Sequence, residues 1–116
     1  MPAPVIHFEI MGGKGNDLQN FYRDAFGWSI DANNPMNYGM VSAQDGQGIG
    51  GGVGPDEQPR VTVYLEVPDL DAALRKIEGL GGQVIMQPEE VPGGPLIAMF
   101  RDPAGNTIGL VKAGSM

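Results

Sequence analysis

The sequence predicts an α+β fold made of two copies of one unit, each a strand, a helix and three further strands, and three observations predict it. Val5 to Ile10 (V-I-H-F-E-I) and Arg60 to Val67 (R-V-T-V-Y-L-E-V) both alternate apolar and polar residues, the period-two signature of a half-buried strand. Each is followed by apolar residues at helical spacing. An offset of 55 lays Ile6 on Val61, His7 on Thr62, Phe8 on Val63, Tyr22 on Ile77, Gly27 on Gly82 and Ile30 on Ile85, and strand parity and helix face survive the shift. Units this small cannot bury their own apolar faces, so the two have to share a core or a cleft.

In the first strand, Ile6, Phe8 and Ile10 take one face and His7 and Glu9 the other. Gly12, Gly13 and Gly15 release the chain into a helix striped by Leu18, Phe21, Tyr22, Ala25 and Phe26, with Asn16 or Asp17 as its cap and Gly27 as its end. Three short strands are expected at Trp28 to Ile30, Asn37 to Ser42 and Gly48 to Val53, joined by turns at Asn33-Asn34-Pro35 and Asp45-Gly46. Gly54 to Pro59, polar and proline-bearing, reads as a surface connector.

In the second half, Val61, Val63, Leu65 and Val67 share one face and Thr62, Tyr64 and Glu66 the other. Asp69 caps a helix striped by Leu70, Ala73, Leu74 and Ile77, closed by Gly79, Gly81 and Gly82. Strands follow at Gln83 to Met86 and Leu96 to Arg101. Phe100 to Leu110 (F-R-D-P-A-G-N-T-I-G-L) then makes strand, tight turn and strand: Asp102 bonds the turn backbone, Pro103 fixes φ, and Gly105 and Asn106 tolerate positive φ. Ile108 and Leu110 point to one side of the last strand, Thr107, Gly109 and Val111 to the other. The expectation is a single domain over 1–116, with modules at about 4–54 and 60–112.

Seven Lys and Arg against fourteen Asp and Glu leave a net charge of −7, which opposes a polyanionic partner, so nucleic acid binding is not expected. The chain has no cysteine, hence no thiolate metal site and no cysteine nucleophile. No apolar run approaches the ~18 residues that span a bilayer, and no basic-then-apolar leader is seen, so the expectation is a cytoplasmic protein without membrane partners. Ser29, Ser42 and Ser115 carry no nucleophile signature, and the run Gly48 to Gly54 lacks the Lys-Ser/Thr and following helix of a phosphate loop.

V-I-H-F-E-I, N-F-Y-R-D-A-F-G-W, E-V-P-D-L-D-A-A-L and F-R-D-P-A-G-N-T-I-G-L, in this order and with the internal repeat, resemble the vicinal oxygen chelate superfamily of glyoxalases, bleomycin resistance proteins and extradiol dioxygenases. The resemblance covers nearly the whole chain and implies two βαβββ modules whose strands curl around a shared cavity, commonly in a homodimer. In the metal-using members, side chains from the paired modules converge on one divalent ion. The matching positions are His7, Thr62, Gly109 and the run Gly50 to Gly54, and only His7 offers a good donor. One imidazole is not a metal site.

The resemblance with these substitutions implies a metal-free protein that binds a small organic molecule, with no catalytic residue and no cofactor assigned. The residues expected to line its site are His7, Glu9, Met40, Thr62, Tyr64, Met99 and Gly109, where the glycines leave room for a ligand. Met40, Met86 and Met99 also read as gap-filling core residues, and Trp28 as packing. Two alternatives stay open. One is a metal-dependent lyase, isomerase or dioxygenase with the substituted ligand set His7, Glu9 and Glu66, which share inward parity. The other is sequestration of a cationic antibiotic, suggested by the acidic composition.

Overall fold

The computed structural model describes residues 2–44 and 46–115; Asp45, half of the expected Asp45-Gly46 turn, lies outside the described residues. Among the described residues ten elements follow one another: β1 (Val5–Gly13), α1 (Asn16–Phe26), β2 (Ile30–Asp31), β3 (Gly39–Val41), β4 (Gly51–Gly54), β5 (Asp56–Val67), α2 (Leu70–Gly79), β6 (Gln83–Glu90), β7 (Leu96–Arg101) and β8 (Thr107–Lys112). The order is βαβββ twice, the α+β pattern that the sequence predicts. Two compact units result, one of His7–Thr62 and one formed by the chain on either side of it, so β5 runs from the first into the second. No helix among the described residues is long and apolar enough to cross a membrane.

In the His7–Thr62 unit the strands lie in the order β2-β3-β4-β1, with β1 parallel to β4 and the other neighbours antiparallel. Alternation along β1 sends Phe8 and Ile10 to the face covered by α1, where they pack with Leu18, Tyr22 and Trp28 against buried Ile30, Val41 and Val53. Trp28 stacks on Tyr22 at 4.9 Å and leans on Phe8 at 5.6 Å, so it is a packing residue. It precedes β2 rather than belonging to it, and β3 and β4 are likewise shorter than expected.

The start of α1 corrects the expected cap. Gly15 occupies the N-cap position with no side-chain hydrogen bond, because Asn16 Oδ1 instead accepts from Asn37 Nδ2 at 2.7 Å. Gly27 ends the helix in the left-handed conformation, as expected, its N–H donating to Arg23 O. The helix is also fastened by a residue that periodicity passes over: buried Gln19 donates from Nε2 to Asn37 O at 3.0 Å and to Val53 O at 2.8 Å.

In the other unit the order is β5-β8-β7-β6, with β5 parallel to β8 and the remaining pairs antiparallel. Leu70 and Leu74 of α2 pack on Ala98, Phe100 and Leu110. Asp69 caps α2 by accepting from Ala72 N at 3.0 Å, as expected. The β7–β8 turn closes as the sequence implies: Gly105 N donates to Asp102 O at 2.9 Å, Asp102 Oδ1 accepts from Ala104 N and Asn106 N, and Gly105 takes φ 95°. β6 continues past Met86 to Glu90, with register shifts on both sides of Met86 ahead of Pro88, the irregularity that lets a strand carry proline.

β5 departs from expectation at two points. It begins at Asp56, so most of the presumed connector is strand: Asp56 Oδ1 accepts from Gln58 N at 3.2 Å and Oδ2 from Arg60 Nε at 3.0 Å. Its burial is also reversed, with Val61 72% exposed while Thr62 is 1% and Tyr64 5% exposed. Further along the strand the apolar side is covered in part, where Leu65 and Val67 pack against the core of the second unit.

Replacing Gln19 with Ala leaves the Asn37 and Val53 carbonyls without their donor and is expected to destabilise the protein by about 1–3 kcal/mol in urea unfolding. Phe21→Ala, at a residue 57% exposed on the same helix, is expected to stay within about 0.5 kcal/mol.

Candidate functional site

Opposite the α1 face, β1 presents His7 and Glu9, and register carries the Glu9 row across the sheet: Glu9 pairs with Gly52 of β4, and Gly52 with Met40 of β3. The same row recurs in the other unit, where Tyr64 of β5 pairs with Gly109 of β8, and Gly109 with Met99 of β7. Both rows read residue, glycine, methionine. The site residues expected from sequence therefore fall into two equivalent sets, with Thr62 beside the first.

The glycines do not leave empty space, which corrects the expectation of room above them. A Cβ on Gly52 would fall on the ring of Tyr38, and a Cβ on Gly109 on the ring of Tyr64. Each tyrosine lies flat against the bare backbone, a close approach that only glycine permits. Gly51, of the opposite parity, is covered in the same way by Phe8.

Tyr38, which pattern reading does not single out, is delivered by a tied loop. Asn34 Oδ1 accepts from Tyr38 N at 2.9 Å, Asn34 Nδ2 donates to Tyr38 O at 2.8 Å, and Asn37 takes φ 53° just before it. The ring then extends over Gly52 and brings its hydroxyl between the two polar residues of β1. Tyr38 Oη lies 2.7 Å from His7 Nε2 and donates to Glu9 Oε2 at 2.9 Å. Glu9 Oε1 meets Arg60 Nη1 at 2.9 Å, Arg60 Nη1 also donates to Thr62 Oγ1 at 2.9 Å, and Arg60 Nε holds Asp56. One connected network thus runs His7, Tyr38, Glu9, Arg60, Thr62, with Asp56 at its rim.

Electrostatics follow from this placement. Burial holds the His7 imidazole below the ordinary histidine value of 6.5, opposed by the nearby Glu9 charge. Asp56 is held below the ordinary aspartate value chiefly by the Gln58 N–H and then by Arg60. Met40 is 51% exposed and Met99 half-buried. Beside the network, Ile10, Met11, Leu18, Pro59, Arg60 and Val61 line a cleft of about 530 Å³, apolar apart from Arg60.

The residues present do not fit the divalent ion that the resemblance implies. Among the described residues no three His, Asp or Glu side chains are grouped so as to hold a metal. Of the substituted set His7, Glu9 and Glu66, His7 is engaged by Tyr38, and the two Glu9 oxygens by Tyr38 and Arg60. Thr62 Oγ1 is spent on Arg60.

A depressed histidine pKa means that the unfolded chain takes up a proton before the folded one. The stability owed to neutral His7 is present above 6.5 and is lost as pH falls through the lower folded value. Since His7 is the sequence's one histidine, its ring protons are expected to titrate with a midpoint below 6.5 by NMR. The fall in Tm below that pH is expected to flatten in His7→Gln.

Comparison with known proteins gives this geometry a family. The model of the glyoxalase-like domain matches residues 14–111. A putative glyoxylase, CFP32 of Mycobacterium bovis, is 30% identical over 115 residues, covering 93% of this chain and 43% of that protein. The anthracycline biosynthesis protein DnrV of Streptomyces peucetius is 42% identical over 55 residues, covering 47% of this chain and 20% of that protein. The chain thus spans less than half the length of either relative. A methylmalonyl-CoA epimerase in complex with methylmalonyl-CoA and NH4+ superposes with a TM-score of 0.68 at 18% identity, covering 99% of this chain and 98% of that one, a likeness of fold. With the duplicated βαβββ pattern and the matched residues together, the chain belongs to the glyoxalase-like domain family.

Proposed function

We propose that the protein binds a small, partly apolar organic molecule on the His7 and Tyr38 side of its first unit, without a resident metal ion and without turnover. The observation that carries this reading is the phenol of Tyr38, hydrogen-bonded to both His7 and Glu9. Tyr38 lies over Gly52 and ties His7 to Glu9, so the groups a cation would need are joined to one another. What such a network retains is the capacity to orient a ligand by hydrogen bonds beside apolar contacts. Met40, 51% exposed in the same row as Glu9 and Gly52, supplies such a contact. The chain's net charge of −7 suits a neutral or cationic ligand.

The cationic-antibiotic reading is the sharper form of this proposal and is favoured by the local likeness to an anthracycline biosynthesis protein. On this reading the protein works in the cytoplasm as a homodimer, and equilibrium sedimentation returns twice the mass of one chain. Titration of an anthracycline and of methylmalonyl-CoA against Trp28 fluorescence is expected to show saturable binding of the first. His7→Ala is expected to weaken it by about tenfold, the worth of one good hydrogen bond. Stoichiometric divalent metal in protein purified without chelator, with glyoxalase-type turnover on added Ni²⁺ or Zn²⁺ that His7→Ala abolishes, would replace binding by catalysis.

A further inference from the structure

Helical spacing aligns Leu18, Phe21, Tyr22, Ala25 and Phe26 along α1, but only part of that stripe meets the sheet. Leu18 and Tyr22 pack on the core of the first unit, whereas Phe21 is 57% and Phe26 65% exposed, and Ala25 is exposed as well. Neither phenylalanine is a loose surface residue. Phe21 meets Tyr22 edge-on at 5.1 Å, Phe26 stacks on Tyr22 at 6.0 Å, and Tyr22 stacks in turn on Trp28 at 4.9 Å. The exposed rings are the outer end of one contiguous aromatic cluster, held from beneath, the kind of rigid apolar anchor on which protein interfaces are built.

Asp17 and Asp24 lie one turn before and after Phe21, at i, i+4 and i+7, so one helix face runs carboxylate, ring, carboxylate over about 10 Å. Both aspartates are exposed and, among the described residues, neither is in an ion pair. Arg23, the one cation of α1, does not offset them, since its guanidinium donates to Asn20 Oδ1 at 3.0 Å and to Ile30 O at 2.7 Å. A second copy of the chain is a poor occupant. Any two-fold pairing centred on Phe21 brings aspartate against aspartate, whether the helices run parallel or antiparallel.

We propose that this face of α1 docks a basic amphipathic helix of another protein, one carrying Lys or Arg at i and i+7 with Leu or Ile between them. The apolar side chain seats against Phe21 over Ala25, and each cation meets one aspartate. Because α1 covers the sheet face opposite His7 and Glu9, this docking is independent of the ligand-binding reading given above.

The probe is an alanine-based helical peptide of about 18 residues with that Lys-Leu-Lys pattern, titrated into ¹⁵N-labelled protein in dilute salt. Amide shifts are expected to centre on Asp17, Phe21, Asp24 and Ala25, and a twin peptide with Glu in place of Lys is expected not to bind. Phe21→Ser, at an exposed position, is expected to weaken binding about tenfold. Asp17→Asn combined with Asp24→Asn is expected to weaken it about fivefold and to flatten its salt dependence. Shifts scattered over the acidic surface, or an affinity unmoved in variants whose backbone spectra stay dispersed, reduce the binding to bulk charge attraction and overturn the proposal. The absence of any shift on α1 at millimolar peptide overturns it too. So does a dimer that sedimentation finds in the wild type and loses in Phe21→Ser, which gives the face to a second copy.

Discussion

The ring of Tyr38 lying on the bare backbone of Gly52 is the contact on which the site depends. Any side chain at that position would lift the ring, and with it the hydroxyl that joins His7 to Glu9. Arg60 would still hold Glu9 at one oxygen and Thr62 nearby, but the phenol bridge from His7 to Glu9 would be lost. The loop that delivers Tyr38 is correspondingly overdetermined, with reciprocal bonds to Asn34 and a left-handed Asn37 that itself reaches Asn16 and Lys14 O. Helix α1 belongs to the same construction, because Gln19 ties it to the carbonyl of Asn37 at the foot of that loop.

In this chain the polar groups of the site close on one another. A carboxylate and a guanidinium at 2.9 Å satisfy each other, and a phenol placed between a carboxylate and an imidazole uses its single proton internally. Such a network costs little to keep, since its polar atoms are paired even where burial is high, as at Glu9 and Thr62. It also makes the face stiff and directional, which favours discrimination among ligands over reactivity toward them.

How much of this is legible in the sequence follows from which signals are local. Alternation in V-I-H-F-E-I and in the strand from Arg60, the cap at Asp69, the end at Gly27 and the turn at Asp102 depend on residues close in the chain, and they place the elements correctly. Parity likewise puts His7 and Glu9 on one face and aligns Met40, Gly52 and Glu9 in a row. Tyr38 and Gln19 are missed because their partners lie 18 to 34 residues away and no periodicity announces them. Val61 is misread for a related reason, since alternation gives the side a residue faces but not what covers that side. The signal that was available for Tyr38 is the pairing of an aromatic residue with a glycine run: a gap in a strand's side chains calls for a ring from elsewhere.

That pairing has a consequence for variation. With the phenol seated over Gly52, a carboxylate cannot be introduced there by one substitution, because the new side chain would collide with the ring before it met any partner. Tyr38 would have to shrink first, at the expense of the His7 link, and the intermediate would possess neither arrangement. The two positions are therefore coupled: a change at either one is tolerated only together with a change at the other.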